Sequence, residues 1–144
     1  METGTSSANA AFAINTDVIG HERIDYDKRV MRKVLQREGA AVRKEARRLI
    51  SRRAVSKPGE NPGRDSGATQ RAIKVKTSSG GFWVRIAPFR TEEMGKDFYP
   101  AYLYYGTKRG VAKRGNYMVQ ALDKRRQPAR AAIRAGLASA IKPR

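Results

Sequence analysis

From residue 28 to about Arg53 the chain is patterned as one amphipathic helix, and any fold must be built around it. Val30, Met31, Val34, Leu35, Val42, Ala46, Leu49 and Ile50 recur mainly at three- and four-residue steps, which makes one apolar stripe. Arg32, Lys33, Arg37, Arg43, Lys44, Arg47 and Arg48 fill much of the remaining surface. Asp25 or Asp27 is the expected N-cap, and basic residues at the far end suit the helix dipole. Gly39 is a weak point, worth about 1 kcal/mol against alanine. With 144 residues the chain is expected to form a single domain.

The segment beyond Arg53 cannot continue the helix. Residues 56–67 contain two Pro-Gly pairs and read as a long loop, after which Asp65 or Ser66 caps a short turn running to Arg71. Ile73, Val75 and Thr77 alternate with Lys74 and Lys76. Ser78-Ser79-Gly80-Gly81 is a turn signal, and Phe82, Val84 and Ile86 then alternate with Trp83, Arg85 and Ala87. This predicts a β-hairpin with one buried face. Phe98 to Tyr105 is aromatic-rich and reads as a third strand, with Pro100 keeping its start off a central position. Tyr117, Met118, Ala121 and Leu122 begin a last helical region, in which Ile133, Leu137 and Ile141 form a second apolar face. Pro128 either kinks one helix or opens another. The expected fold is α+β: a small antiparallel sheet (hairpin plus Tyr-rich strand) packed by a long N-terminal helix and a C-terminal helix. Residues 1–24 read as an extended arm, and 25–144 as the domain.

Charge narrows the function. The net charge is +18, and two segments carry it: 28–57 and 107–144 hold +10 each, whereas 1–27 hold −4 and 58–106 hold +2. So basic a chain calls for a polyanion or an acidic neighbour. Cysteine is absent, which excludes disulfides, thiol catalysis and thiolate metal sites. No apolar run reaches bilayer length, and Met1 to Ala13 lack the pattern of a signal peptide.

Three stretches resemble the tail-completion, or head–tail joining, family of long-tailed phages. Ser66-Gly67-Ala68-Thr69-Gln70-Arg71-Ala72-Ile73 resembles its Thr/Ser-Gly-x-Leu-x-x-Ser-Ile segment. Tyr99-Pro100-Ala101-Tyr102-Leu103-Tyr104-Tyr105-Gly106-Thr107 resembles its Tyr-Ala-x-x-Val-Glu-Phe-Gly-Thr strand. Asn116-Tyr117-Met118-Val119-Gln120-Ala121-Leu122 resembles the Pro-Phe-Leu-x-x-Ala-Leu start of its last helix. Thr69, Ala72, Tyr104 and Asn116-Tyr117 depart from the pattern. The resemblance spans roughly residues 28–141. It implies a structural virion protein with no cofactor and no catalytic role, acting in the neck or tail region after assembly in the host cytoplasm. It further implies a ring of six or twelve copies, whose partners are the head connector or adaptor and tail-terminator or tail-tube proteins. The arm and the 56–67 loop are then expected to reach neighbours.

Few residues suggest chemistry. His21 is the sole histidine and has no evident partner for general-base work. Glu92, Glu93 and Asp97 are read as a solvated loop in preference to a divalent-cation site. Gly106-Thr107-Lys108-Arg109-Gly110 lacks the spacing of a phosphate loop and reads as a turn. The basic residues remain. Arg43, Arg47, Arg48, Lys108, Arg109, Lys113, Arg114, Lys124, Arg125 and Arg126 are the candidate contacts to DNA in a ring lumen or to acidic neighbours. Tyr99, Tyr102, Tyr104 and Tyr105 are candidates for a subunit interface. A basic nucleic-acid-binding protein of ribosome- or nucleoid-associated type is the alternative.

Overall fold

A computed structural model describes residues 25–142, without the side chain of Lys142. The expected arm and His21 lie outside the described residues. Strand β1 (Asp25–Tyr26) leads into helix α1 (Lys28–Leu49); α2 (Ala68–Ala72) precedes β2 (Ile73–Thr77) and β3 (Val84–Pro88). A 3-10 turn (Glu92–Met94), helix α3 (Tyr99–Tyr105), the long helix α4 (Tyr117–Ala140) and β4 (Ile141–Lys142) complete the order. The architecture is α+β, with the two-stranded hairpin β2–β3 packed against the long helices.

The cap of α1 is Asp27, whose carboxylate accepts from the amides of Arg29 (2.9 Å) and Val30 (3.4 Å). Asp25 instead belongs to β1. The helix stops at Leu49, short of Arg53. Ile50 turns extended and is buried, and the Ser51 amide then donates to the Pro62 carbonyl at 2.9 Å. Burying Ile50 and pairing Ser51 with the loop captures the chain before another helical turn can form.

Helices α1 and α4 lie antiparallel along their whole length. The clasp β1–β4 pairs Asp25 with Lys142 and Tyr26 with Ile141, and the Asp27 amide donates to the Ala140 carbonyl at 2.8 Å. Their contact is close because small residues line it. Ala46, Ala121 and Ala140 are fully buried, and a Cβ on Gly136 would sit 2.7 Å from Val34 Cγ2. The expected second apolar face of α4 is therefore misplaced by one position. Gly136 and Ala140 face α1, while Leu137 and Ile141 are 45% and 43% exposed.

The hairpin runs across α1 with Val75, Val84 and Ile86 beneath it. Gly39 is the crossing point: a Cβ there would lie 2.8 Å from both Val75 Cγ1 and Val84 Cγ2. The apparent weak point in the helix is the position that lets the sheet approach it. Phe82 and Trp83, expected in the second strand, belong to the turn; the paired strand begins at Val84. The main core joins Val42, Ala46 and Ile50 of α1 and its C-cap to Ile73, Tyr117 and Ala121. A smaller cluster unites Ala68, Ala72 and Met94, with Phe98 against it.

The expected Tyr-rich strand is a helix. Pro100 falls in the first turn of α3, where its fixed φ suits a helix and its missing amide is not needed. The Gly106 amide closes the turn on the Tyr102 carbonyl at 2.8 Å. Aromatic strand preference is contextual, and this segment pairs with neither edge of the hairpin.

Pro128 neither ends nor divides α4, which runs unbroken from Tyr117 to Ala140. An interior proline removes one helical hydrogen bond and crowds the preceding turn, about 3 kcal/mol. Its exposed ring leaves packing against α1 untouched. Pro128→Ala should therefore raise stability by roughly 1–3 kcal/mol, read as a higher urea midpoint at unchanged slope. A lower midpoint would show that the ring makes a needed contact.

Candidate functional site

The candidate surfaces lie on the faces that the two-helix frame leaves open. In α1 the only acids, Glu38 and Glu45, stand seven residues apart and so share one side of the helix. Both turn toward α4. Buried Glu38 accepts from Arg37 Nε (3.3 Å) and from Arg125 Nη2 (3.4 Å). Glu45 takes both arms of Arg48 (2.9 and 3.0 Å) and Lys124 Nζ (3.2 Å). The Arg48 hydrogen bonds, followed by that of Lys124, hold the Glu45 carboxyl below its usual range against the opposing effect of desolvation.

The rest of α1 is consequently a basic face with no acid on it. Arg29, Lys33, Arg37 and Lys44 project from it at steps of four and seven, all exposed. Among the described residues Arg29, Lys33 and Lys44 engage no acid. The helical pattern places Lys33 and Lys44 in the polar remainder of α1, but charge density alone marks neither Arg29 nor Lys33 as a site. The signal that finds them is the position of the two acids: their seven-residue spacing clears the opposite side.

Most of the expected basic contacts also have partners within the fold. Arg47 donates to the carbonyls of Gln70 (3.1 Å) and Ile73 (3.0 Å), and so ties α1 to the α2–β2 junction. Burial, then the charge of Arg43, draws it below the ordinary arginine value. Arg48, Lys124 and Arg125 are the ion-pair partners just described, and Arg126 pairs with Asp123 at 2.6 Å. Arg114 donates to the Ala112 carbonyl at 2.9 Å, and Lys113 stands 5.4 Å over the Tyr104 ring. Arg43, Lys108 and Arg109 make no ion pair among the described residues. Lys108 and Arg109 sit in a turn whose Thr107 and Gly110 amides bond to Val111 and Thr107, which leaves those donors engaged internally.

The four candidate tyrosines share α3 and are all exposed, Tyr105 the most at 78%. Tyr104 and Tyr105 pack edge to face at 4.7 Å, and Tyr102 donates to Asp97 at 3.3 Å. As α3 is a helix, the tyrosines no longer divide into two strand faces. Clefts open on both sides of it. One, about 670 Å³, lies against the 54–70 loop; a smaller one, about 240 Å³, lies over Phe98, Pro100 and Tyr117.

Comparison with known proteins is silent: no family model, no curated protein and no solved structure matches the chain. The surfaces themselves must then carry the reading. Among the described residues no three His, Cys, Asp or Glu side chains gather as a metal site, and no helix is long and apolar enough to cross a membrane. Glu93 is held by Arg71 at 2.8 Å and Asp97 by Tyr102, so the acids of that loop are dispersed. Burial in the main core pushes the Tyr117 phenol up to about 12, so it stays neutral near neutral pH.

Proposed function

We propose that this chain is a structural subunit of a tailed-phage virion, a neck or tail-completion protein that joins head to tail. In this reading copies form a closed ring of six or twelve around the DNA path, between the head connector or adaptor and the tail-terminator or tail-tube proteins. The chain performs no catalysis and carries no cofactor. It works in the neck of the virion and assembles in the host cytoplasm. The observation that carries the reading is a clasped two-helix frame beside which two unlike surfaces are exposed. The acid-free face of α1 suits a phosphate backbone met without base recognition. The tyrosine-bearing α3 suits contact with protein. The three resembling sequence stretches support it from the other side.

The test is microscopy of particles made after deleting the gene from the genome that carries it. Filled heads beside separate tails are expected. Normal infectious particles would remove the joining role.

A second reading has one observation in its favour. The acid-free face of α1 equally suits a dedicated nucleic-acid-binding protein of ribosome- or nucleoid-associated type. Such a protein binds duplex DNA tightly as a monomer, with a steep salt dependence, whereas a ring subunit alone binds weakly.

A further inference from the structure

We propose that the outer face of the β2–β3 hairpin binds single-stranded nucleic acid, with phosphates on Lys74, Lys76 and Arg85 and a base stacked on Trp83. The site lies apart from the acid-free face of α1, and it stands whether or not copies close into a ring.

Strand alternation divides the side chains of the hairpin between two faces. Val75, Val84 and Ile86 turn toward α1 at Gly39, so Lys74, Lys76 and Arg85 turn away, and all three are exposed. Trp83 joins them. Its carbonyl accepts from the Ser78 amide at 3.1 Å and its own amide donates to Ser78 Oγ at 3.2 Å, which carries the pairing one step past Thr77 and Val84. Two residues before Arg85, the indole stands on the same outer face, and Trp83 is 53% exposed. Phe89 closes the other end. Lys76 Nζ lies 4.2 Å from the centre of its ring, and the Arg85 guanidinium 5.5 Å. The outer face is therefore a row of cations with an aromatic ring at each end.

Charge says what covers it. Lys76 and Arg85 are register partners, and like charges directly opposite each other in a sheet repel. The sequence from Ser66 to Thr91 has five cations and no acid at all. Among the described residues Lys74, Lys76 and Arg85 form no ion pair. The Phe89 ring gathers two of them without neutralising either. Elsewhere the fold does neutralise its cations: Glu45 takes Arg48 and Lys124, Glu93 takes Arg71, and Asp123 takes Arg126. A face that holds like charges together with no acid of its own fits an anion brought from outside.

The indole selects the kind of anion. An acidic peptide would answer the three cations and leave Trp83 in water. Nucleic acid alternates phosphates with planar bases, and any base stacks on an aromatic ring. Inside a duplex the bases are stacked on one another and closed to the indole, whereas a single strand offers them. The two cationic faces also look in different directions. At 3.6 residues per turn, Lys33, Arg37 and Lys44 stand roughly 120–160° around α1 from Gly39, where the hairpin crosses. A strand on the hairpin leaves the α1 face free.

Trp83 is the chain's single tryptophan and reports directly. The full chain is titrated with an end-labelled oligothymidylate of about twelve nucleotides, following Trp83 emission and the anisotropy of the label. Saturable quenching of Trp83 that tracks the anisotropy is expected. A duplex of the same length should quench far less, and polyglutamate should compete poorly. Trp83→Ala should weaken strand binding on the order of tenfold at an unchanged salt slope, and Trp83→Phe should recover most of it. The bonds between Ser78 and residue 83 use only the backbone of the latter, so the turn survives both changes. Lys74→Gln, Lys76→Gln and Arg85→Gln together should lower the log–log salt slope by about 2.1. A chain with Arg29, Lys33, Arg37 and Lys44 changed to glutamine should keep the quenching. Absence of binding at low salt, or binding without quenching, would overturn the site. Equal competition by polyglutamate would give the face to an acidic protein, and equal quenching by duplex would remove the preference for a single strand; either overturns the proposal. None of these outcomes bears on the α1 face, which is read from duplex binding.

Discussion

Gly39→Leu should lower the stability of the domain by about 3 kcal/mol or more, because leucine has nowhere to go at the crossing of helix and hairpin. A Cβ alone would already lie 2.8 Å from methyl groups of Val75 and Val84, below any normal contact distance. Both neighbours are β-branched and stiff at χ1, so neither can swing away freely. The hairpin would have to lift, and Val75, Val84 and Ile86 would lose their burial against α1. Gly39→Ala is the informative companion. Its helix-propensity gain of about 1 kcal/mol opposes an overpacking penalty of about 1–3 kcal/mol. It should therefore be neutral to mildly destabilising, where an open helix position would show stabilisation. Urea midpoints for the two variants test the argument. A Gly39→Ala protein more stable than wild type by the full propensity difference would mean that the hairpin does not press on α1.

Gly39 also shows what could and could not be read from the chain. The length, cap and polarity of α1 follow from local chemistry: a carboxylate before the first turn, apolar steps of three and four, and arginines in the last turn. The need for glycine in the middle comes from Val75 and Val84, which are more than thirty residues away, and no periodicity contains that information. The same division holds at α3. Five aromatics between residues 98 and 105 look like strand because aromatic side chains pack well on a pleated surface, but the segment pairs with neither hairpin edge and closes on itself as a helix. Pro100 in the first turn is the local clue to a helix. At α4 the pattern of Ile133, Leu137 and Ile141 is visible and misleads, because a close helix pair selects Gly136 and Ala140 for contact and leaves the larger side chains outside. The candidate basic site is partly legible. Charge density singles out residues 28–57 and 107–144, but how each cation is engaged depends on where Glu38 and Glu45 turn, and that is fixed only when α4 docks.

Removing Arg29, Lys33, Arg37 and Lys44 together should weaken binding to duplex DNA on the order of a thousandfold at 0.1 M salt. Each cation that neutralises a phosphate releases about one condensed counterion, so the log–log salt slope should fall by about 0.9 for every phosphate no longer neutralised. Four glutamine substitutions on this face should therefore flatten the slope by about 3.6. All four side chains are exposed, and among the described residues only Arg37 touches an acid, so the fold should survive the change. Arg130→Gln with Arg134→Gln, on the outward side of α4, is the comparison; if α1 carries the contact, that pair should leave the slope nearly unchanged. Equal losses from both sets would mean diffuse attraction to a +18 surface with no preferred face. The absolute affinity separates the two functional readings. A wild-type monomer that already holds DNA tightly at physiological salt favours a dedicated binder. Weak binding by the monomer that strengthens sharply on assembly is what a ring threaded by DNA requires, since each copy then adds its own stripe of cations along the same duplex.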